Sequence, residues 1–199
     1  MKLLYSPTSP FARKVRILLL ETDLDDRVEA VPTNTEDPAS GLSAHNPLNK
    51  IPVLETELGP LYDSPVICEY LDTLHDGPKL VPASGPGRWR ALRWLALADG
   101  LQDAALLIRY ELTLRPAERQ HQPWIDRQKA KVLAALDRME AEAAELDGPL
   151  TVGAIGAACA LGYLDFRFAD WGWRDHHPRL AAWHEGFARR PSYAATAPA

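Results

Sequence analysis

The sequence predicts a two-part chain: a small mixed α/β domain followed by an all-helical one. Three observations carry this expectation. Short strand-like runs alternate with helical periodicity over the first third of the chain. Glycines and prolines crowd residues 77–87, as in a connection between domains. Beyond that stretch only helical periodicity remains. The 199 residues are enough for a hydrophobic core without cross-links. The 46% apolar and 25% charged residues exclude disorder and low complexity.

The first domain is expected over residues 1–76. Lys2-Leu3-Leu4-Tyr5 reads as a buried strand, followed by turn chemistry at Ser6-Pro7-Thr8. A helix runs from Pro10 to about Glu21, with Phe11, Val15, Leu18 and Leu19 on one face. Arg27-Val28-Glu29-Ala30-Val31 alternates as a second strand, and a polar stretch follows through Pro38, Gly41 and Asn46-Pro47. Pro52-Val53-Leu54-Glu55 and Pro60-Leu61-Tyr62 flank Leu58-Gly59 as a hairpin. Ser64 opens a helix to about Leu74. The order is therefore β-α-β, a loop or short helix, then β-β-α. After the connection at 77–87, residues 88–199 read as helices. One starts near Arg88 and carries Leu92, Leu95, Ala96 and Asp99; others cover Ile125–Glu145, Thr151 to about Ala169, and Pro178–Arg189.

Composition also narrows the function. With 22 basic and 27 acidic residues the net charge is −5, which gives phosphate backbones little general attraction, so no nucleic-acid partner is expected. No apolar run approaches the roughly 18 residues of a membrane span, and the short, proline-containing start does not read as a secretory signal. A cytoplasmic protein with no membrane partner is expected. Cys68 and Cys159 lie in apolar helical contexts without a Cys-x-x-Cys pair, and so read as buried small hydrophobes. His176, His177 and His184 lack metal-ligand spacing; they are expected at the surface, with no metal. Arg13, Lys14 and Arg16 form a basic cluster, expected as a solvated face or paired with acids across a subunit contact.

One local device occurs twice: Ser9-Pro10 and Ser64-Pro65, each a serine before proline at a helix start. Serine suits the N-cap because its oxygen accepts an orphan backbone N–H, and proline suits the next position because it has no N–H to orphan. Each such helix tip is electropositive, so two of them in one small domain point to two anionic groups of one ligand. Between them lies Asn49-Lys50-Ile51-Pro52-Val53-Leu54, where Pro52 is a candidate for a cis peptide bond. In that geometry the Ile51 backbone is expected to face outward and pair with an extended peptide ligand.

These segments carry a resemblance. Tyr5-Ser6-Pro7-Thr8-Ser9-Pro10-Phe11-Ala12-Arg13-Lys14-Val15-Arg16 resembles the first strand, active-site loop and first helix of soluble bacterial glutathione transferases. Asn46–Leu54 resembles their cis-proline segment, and Asp63-Ser64-Pro65-Val66-Ile67-Cys68-Glu69-Tyr70-Leu71 their γ-glutamyl-binding segment. Leu97–Ala104 and Ala158–Asp165 resemble parts of their helical domain. The resemblance implies a thioredoxin-like first domain, glutathione as co-substrate, and a homodimer. It matches Ser9 to the residue that hydrogen-bonds the glutathione sulfur, with Thr8 as the neighbouring alternative and Tyr5 as part of the core or cleft floor. It matches Lys50 to the glycyl carboxylate, Ile51 to the cysteinyl backbone, and Asp63 with Ser64 to the γ-glutamyl group. Asp103 corresponds to a residue reaching a neighbouring subunit's ligand, and the second substrate is expected beside Phe11, Arg109 and Tyr110. Two departures stand out: Asn49 replaces a common glycine, and Thr151-Val152-Gly153-Ala154 keeps a helix cap without the usual acid.

The implied chemistry is energetically feasible. Lowering a thiol from about 8.5 by two pKa units requires roughly 2.7 kcal/mol of differential stabilisation. A helix N-terminus supplies about 0.3–2 kcal/mol and a hydrogen bond to a charged acceptor about 1.5–3 kcal/mol. Together they suffice. The implied reaction is attack of the glutathione thiolate on a small hydrophobic electrophile. Because serine, not cysteine, occupies position 9, mixed-disulfide chemistry is not expected. The same fold would also serve a non-enzymatic binding or regulatory protein, or a glutathione-dependent isomerase or peroxidase.

Overall fold

Leu3 and Leu4 are buried at the centre of strand β1 (Lys2–Tyr5), and the sheet grows from both of its edges. β2 (Glu29–Pro32) pairs with it in parallel, Leu3 opposite Ala30. β3 (Val53–Thr56) pairs with it antiparallel, Leu3 opposite Leu54, and β4 (Gly59–Leu61) completes the order β2-β1-β3-β4. This is a computed structural model, and it describes residues 1–198. The parallel pair requires a crossover, supplied by helix α1 (Pro10–Glu21). The short helix α2 (Leu42–His45) precedes β3, and α3 (Ser64–Asp72) follows β4.

Several local expectations shift. Asp25–Arg27 close a single 3₁₀ turn through the Val28 N–H donating to the Asp25 carbonyl at 3.2 Å, so β2 begins at Glu29 and not Arg27. Thr56 pairs with Gly59, which makes Glu57-Leu58 the hairpin turn; Gly59 sits at φ 100°, where a side chain would be strained. Asp63, not Ser64, caps α3: its carboxylate accepts the Ser64 N–H, leaving Ser64 and Pro65 as the first helical residues.

The helical part comprises α4 (Gly85–Leu114), α5 (Gln122–Ala141), α6 (Val152–Arg167), α7 (Trp173–His176), α8 (Pro178–Ala188) and α9 (Pro191–Ala195). Gly85-Pro86-Gly87, expected at the end of the connection, instead form the first turn of α4, where proline costs no hydrogen bond. Asp72 fixes the connecting segment, accepting the N–H groups of Leu80 at 2.8 Å and Val81 at 2.9 Å. The Leu80 carbonyl in turn accepts the Val152 N–H at 2.8 Å, and Thr151 Oγ1 accepts the Ala154 N–H at 3.3 Å, so the start of α6 is held without the missing acid. α6 is buried continuously from Val152 to Leu164, and it meets α4 at close range: a Cβ on Gly153 would lie 2.5 Å from the Ala91 carbonyl oxygen. Among the described residues, no single helix is long and apolar enough to cross a membrane.

The basic cluster on α1 is not a solvated face. Lys14 is fully buried and Arg13 is 5% exposed, because α1 lies between the sheet and the helical domain. Lys14 Nζ donates to both Asp99 carboxylate oxygens of α4, at 2.6 and 2.8 Å. The Arg13 guanidinium stacks 3.8 Å from the Tyr193 ring centroid and donates to the Tyr193 carbonyl at 3.0 Å. At the far end of α1, Glu21 accepts from Arg190 at 2.8 and 2.6 Å and from the Ser192 hydroxyl. Arg16 rests 4.9 Å from the Tyr5 ring. One core runs through both parts, from Leu3, Leu18 and Ile67 to Leu95, Ile155 and Leu161.

Two of the histidines expected at the surface are buried instead, His177 at 4% and His184 at 3% exposure. His177 is 3.0 Å from an Asp137 oxygen and 2.8 Å from the Trp173 carbonyl. The Arg174 guanidinium lies 2.8 Å from His184 Nδ1; arginine can only donate, so this nitrogen accepts and the ring proton sits on Nε2, 2.7 Å from the Tyr193 hydroxyl. Burial pushes His184 down to about 4, which keeps the ring neutral.

Candidate glutathione site

The N-terminus of α1 opens into a cavity of about 1060 Å³ between the sheet domain and helices α4 and α6. Ser9 is half-buried at its mouth. Its Oγ accepts the Ala12 N–H at 3.2 Å, the N-cap expected from the Ser9-Pro10 pair. Because that bond uses an oxygen lone pair, the hydroxyl proton stays available to a ligand. α1 has no acidic residue in its first turn, so no side chain of that turn offsets its positive end. Thr8 also lines the cavity, and its hydroxyl lies 3.2 Å from the Ser6 hydroxyl in a hydrogen bond that either of the two can donate. Tyr5 is not part of this wall; Arg16 covers its ring.

The opposite lip comes from Asn49, Lys50 and Ile51. Asn49 occupies the left-handed region at φ 50°, as its replacement of glycine requires, and its side-chain amide donates to the Thr35 carbonyl at 2.9 Å. The Ile51–Pro52 peptide is cis. Thus Ser9, Phe11, Lys50, Ile51, Arg109 and Tyr110 share one cavity.

Asp63 and Ser64 do not line it. Asp63 is exposed at the tip of α3, whereas Ser64 is wholly buried with no hydrogen-bond partner for its hydroxyl among the described residues. Asp63 nonetheless acts electrostatically on Asp103, which does line the cavity. Burial pushes the Asp103 carboxyl up, Lys50 pulls it down and Asp63 raises it again. Asp103 lines the cavity of its own chain.

Among the wall residues that sequence reasoning missed are Tyr163 and Arg167. Their i, i+4 spacing at the polar end of an otherwise apolar helix was the available signal. Cys68 and Cys159 are fully buried, and burial pushes both thiols up to about 12, so neither is a nucleophile. No group of three His, Cys, Asp or Glu side chains among the described residues is placed to hold a metal ion.

A mixed sheet with a cis-proline lip, a capped helix tip facing a cleft, and a helical domain closing that cleft define a glutathione transferase fold. The family models agree: the glutathione S-transferase N-terminal domain matches residues 3–79 and its C-terminal domain residues 122–186. The chain belongs to the glutathione S-transferase family. It is 38% identical over 205 residues to the uncharacterized GST-like protein YibF of Escherichia coli (strain K12), covering 100% of this chain and 98% of that protein. It is 47% identical to a glutathione transferase family member from Pseudomonas fluorescens Pf-5 solved with bound glutathione; the TM-score is 0.95, with 100% of this chain and 98% of the other covered. A structure from the same organism with bound S-(propanoic acid)-glutathione is also 47% identical, with a TM-score of 0.92 and 100% of both chains covered.

Proposed function

We propose that this chain is a glutathione transferase that holds the glutathione sulfur as a thiolate at Ser9 and directs it at small hydrophobic electrophiles. The carrying observation is that Ser9 Oγ already accepts the Ala12 N–H at the tip of α1, so its free proton and the helix dipole converge on one point of the cavity. Ser9 donates a hydrogen bond and stabilises charge; it does not attack. Lys50 attracts the glycyl carboxylate and Ile51 pairs with the cysteinyl backbone. Asp63, exposed at the N-terminus of α3, receives the γ-glutamyl group, whereas the wholly buried Ser64 side chain does not reach it. The electrophile occupies the side of the cavity walled by Phe11, Arg109 and Tyr110. Glutathione-bound relatives support the ligand, and in one of them the sulfur carries a substituent.

A cytoplasmic homodimer is part of this reading. The free, buried thiols of Cys68 and Cys159 suit a reducing compartment. The exposed apolar side chains of Val66 and Trp89, beside the Glu69–Arg88 ion pair, support a contact between two copies; sedimentation of the chain and of Trp89→Glu tests it.

Ultraviolet titration of bound glutathione tests the mechanism. We expect the thiol to ionise about two units below its usual value of about 8.5, and an aryl halide to be conjugated. A bound thiol that ionises as in plain buffer overturns the transferase reading. A chain whose melting temperature does not respond to glutathione favours a binding or regulatory role unrelated to it.

A further inference from the structure

Beyond Phe11, the cavity wall formed by α4 and α6 is not uniformly apolar. Leu106, Leu107 and Tyr110 give it a greasy stretch, but Arg109 from α4 and Arg167 from the last turn of α6 also line it, with the Tyr163 ring beside them. Among the described residues neither guanidinium is within salt-bridge reach of a carboxylate, in contrast to Arg88, Arg93, Arg115, Arg138, Arg174 and Arg190. Both arginines are only half-exposed, so solvent compensates them incompletely. Arg109 also acts on Arg167: burial and the Arg109 charge both pull Arg167 below the ordinary arginine range. The acids of the cavity, Glu36 and Asp103, do not relieve this. Asp103 answers to Lys50, Asp63 and Lys14, at the end of the cavity where Lys50 lies. Arg167 also complements the carbonyl end of α6, but Arg109 lies within α4, away from its ends, and has no such role.

Two guanidiniums without a carboxylate partner, Arg167 stacked 3.9 Å from the Phe166 ring centroid and Arg109 acting on it, behind an apolar stretch are a site for a planar anion. We propose that the electrophile accepted by this cavity carries a carboxylate, which Arg109 and Arg167 hold together while its apolar body lies along Phe11, Leu106, Leu107 and Tyr110. This rests on the transferase reading above and sharpens its substrate class from hydrophobic to hydrophobic acid. The fork of each guanidinium matches two carboxylate oxygens.

A matched pair of conjugates tests this without turnover: S-(4-carboxybenzyl)glutathione and its amide, S-(4-carbamoylbenzyl)glutathione, titrated calorimetrically against the full chain alongside glutathione itself. We expect the carboxylate to bind about tenfold more tightly than the amide, and the preference to vanish in Arg109→Gln/Arg167→Gln. Equal or weaker binding of the carboxylate, with glutathione still bound, overturns this proposal and leaves the transferase reading standing. A preference that survives the double substitution overturns the assignment to these arginines. Failure to bind glutathione or either conjugate overturns both readings. The comparison in the unaltered chain needs no variant, so a misfolded variant cannot hide the result.

Discussion

Lys14 of α1 and Asp99 of α4 form an ion pair, at 2.6 and 2.8 Å, in which the lysine is fully shielded from solvent while the aspartate side chain keeps 17% exposure. The asymmetry predicts unequal losses. Asp99→Asn strands a buried ammonium and should cost about 3–5 kcal/mol. Lys14→Met leaves a carboxylate already pushed upward by burial, which can take up a proton, and should cost less. Urea unfolding of the two variants would reverse this order if the pair were superficial.

Gly162 of α6 faces the Tyr193 hydroxyl, which a Cβ there would overlap, and would also bring that Cβ within 2.8 Å of an Arg13 nitrogen. Gly162→Ala should therefore lose about 1–3 kcal/mol despite alanine's better helix propensity. Adding Tyr193→Phe removes the clashing oxygen and should recover part of the loss. Additive losses in the double variant would argue against this packing.

Ser9 and Thr8 make opposite predictions for catalysis. Ser9→Ala should lower kcat/KM by roughly 10–100-fold, in line with a lost hydrogen bond to a charged acceptor, and raise the pH at which bound glutathione ionises. It should also cost about 1 kcal/mol of stability through the lost cap. Thr8→Val should do neither, because on this reading Ser9, not Thr8, caps the helix and donates to the sulfur. The pH–rate profile separates the chemical effect from the structural one.

His184 predicts an acid limit to stability. Its folded value, about 4, lies below the ordinary 6.5, so the folded state refuses a proton that the unfolded chain accepts. The stability this confers is complete above about pH 6.5 and drains as pH falls towards 4. Nitrogen-15 spectra should show the His184 ring neutral, with its proton on Nε2, at pH 5.5. A ring already charged there would refute the Arg174–His184–Tyr193 arrangement.

Much of the site was legible because its signals are local. The Ser9 cap, the left-handed Asn49, the cis Ile51–Pro52 bond and the Thr151 cap each depend on a few neighbouring residues. The Asp63–Ser64 cap was misassigned by one residue because either side chain satisfies the same rule. The burial of Arg13, Lys14 and His184 was not legible: their partners, Tyr193, Asp99 and Arg174, lie 180, 85 and 10 residues away. Charged residues read as surface unless a partner is known, and partners come only from tertiary contacts. Arg167 was missed for the same reason, since its companion Arg109 belongs to another helix.

Helix α1 begins at Ser9 beside the cavity and is clamped along its length to the helical domain through Arg13, Lys14 and Glu21. The aim of its tip is therefore set by both halves of the chain. Neither half, severed from the other, would retain a correctly oriented α1 tip, and an exchange of helical domains between relatives would have to carry Asp99, Arg190 and Tyr193 along with it.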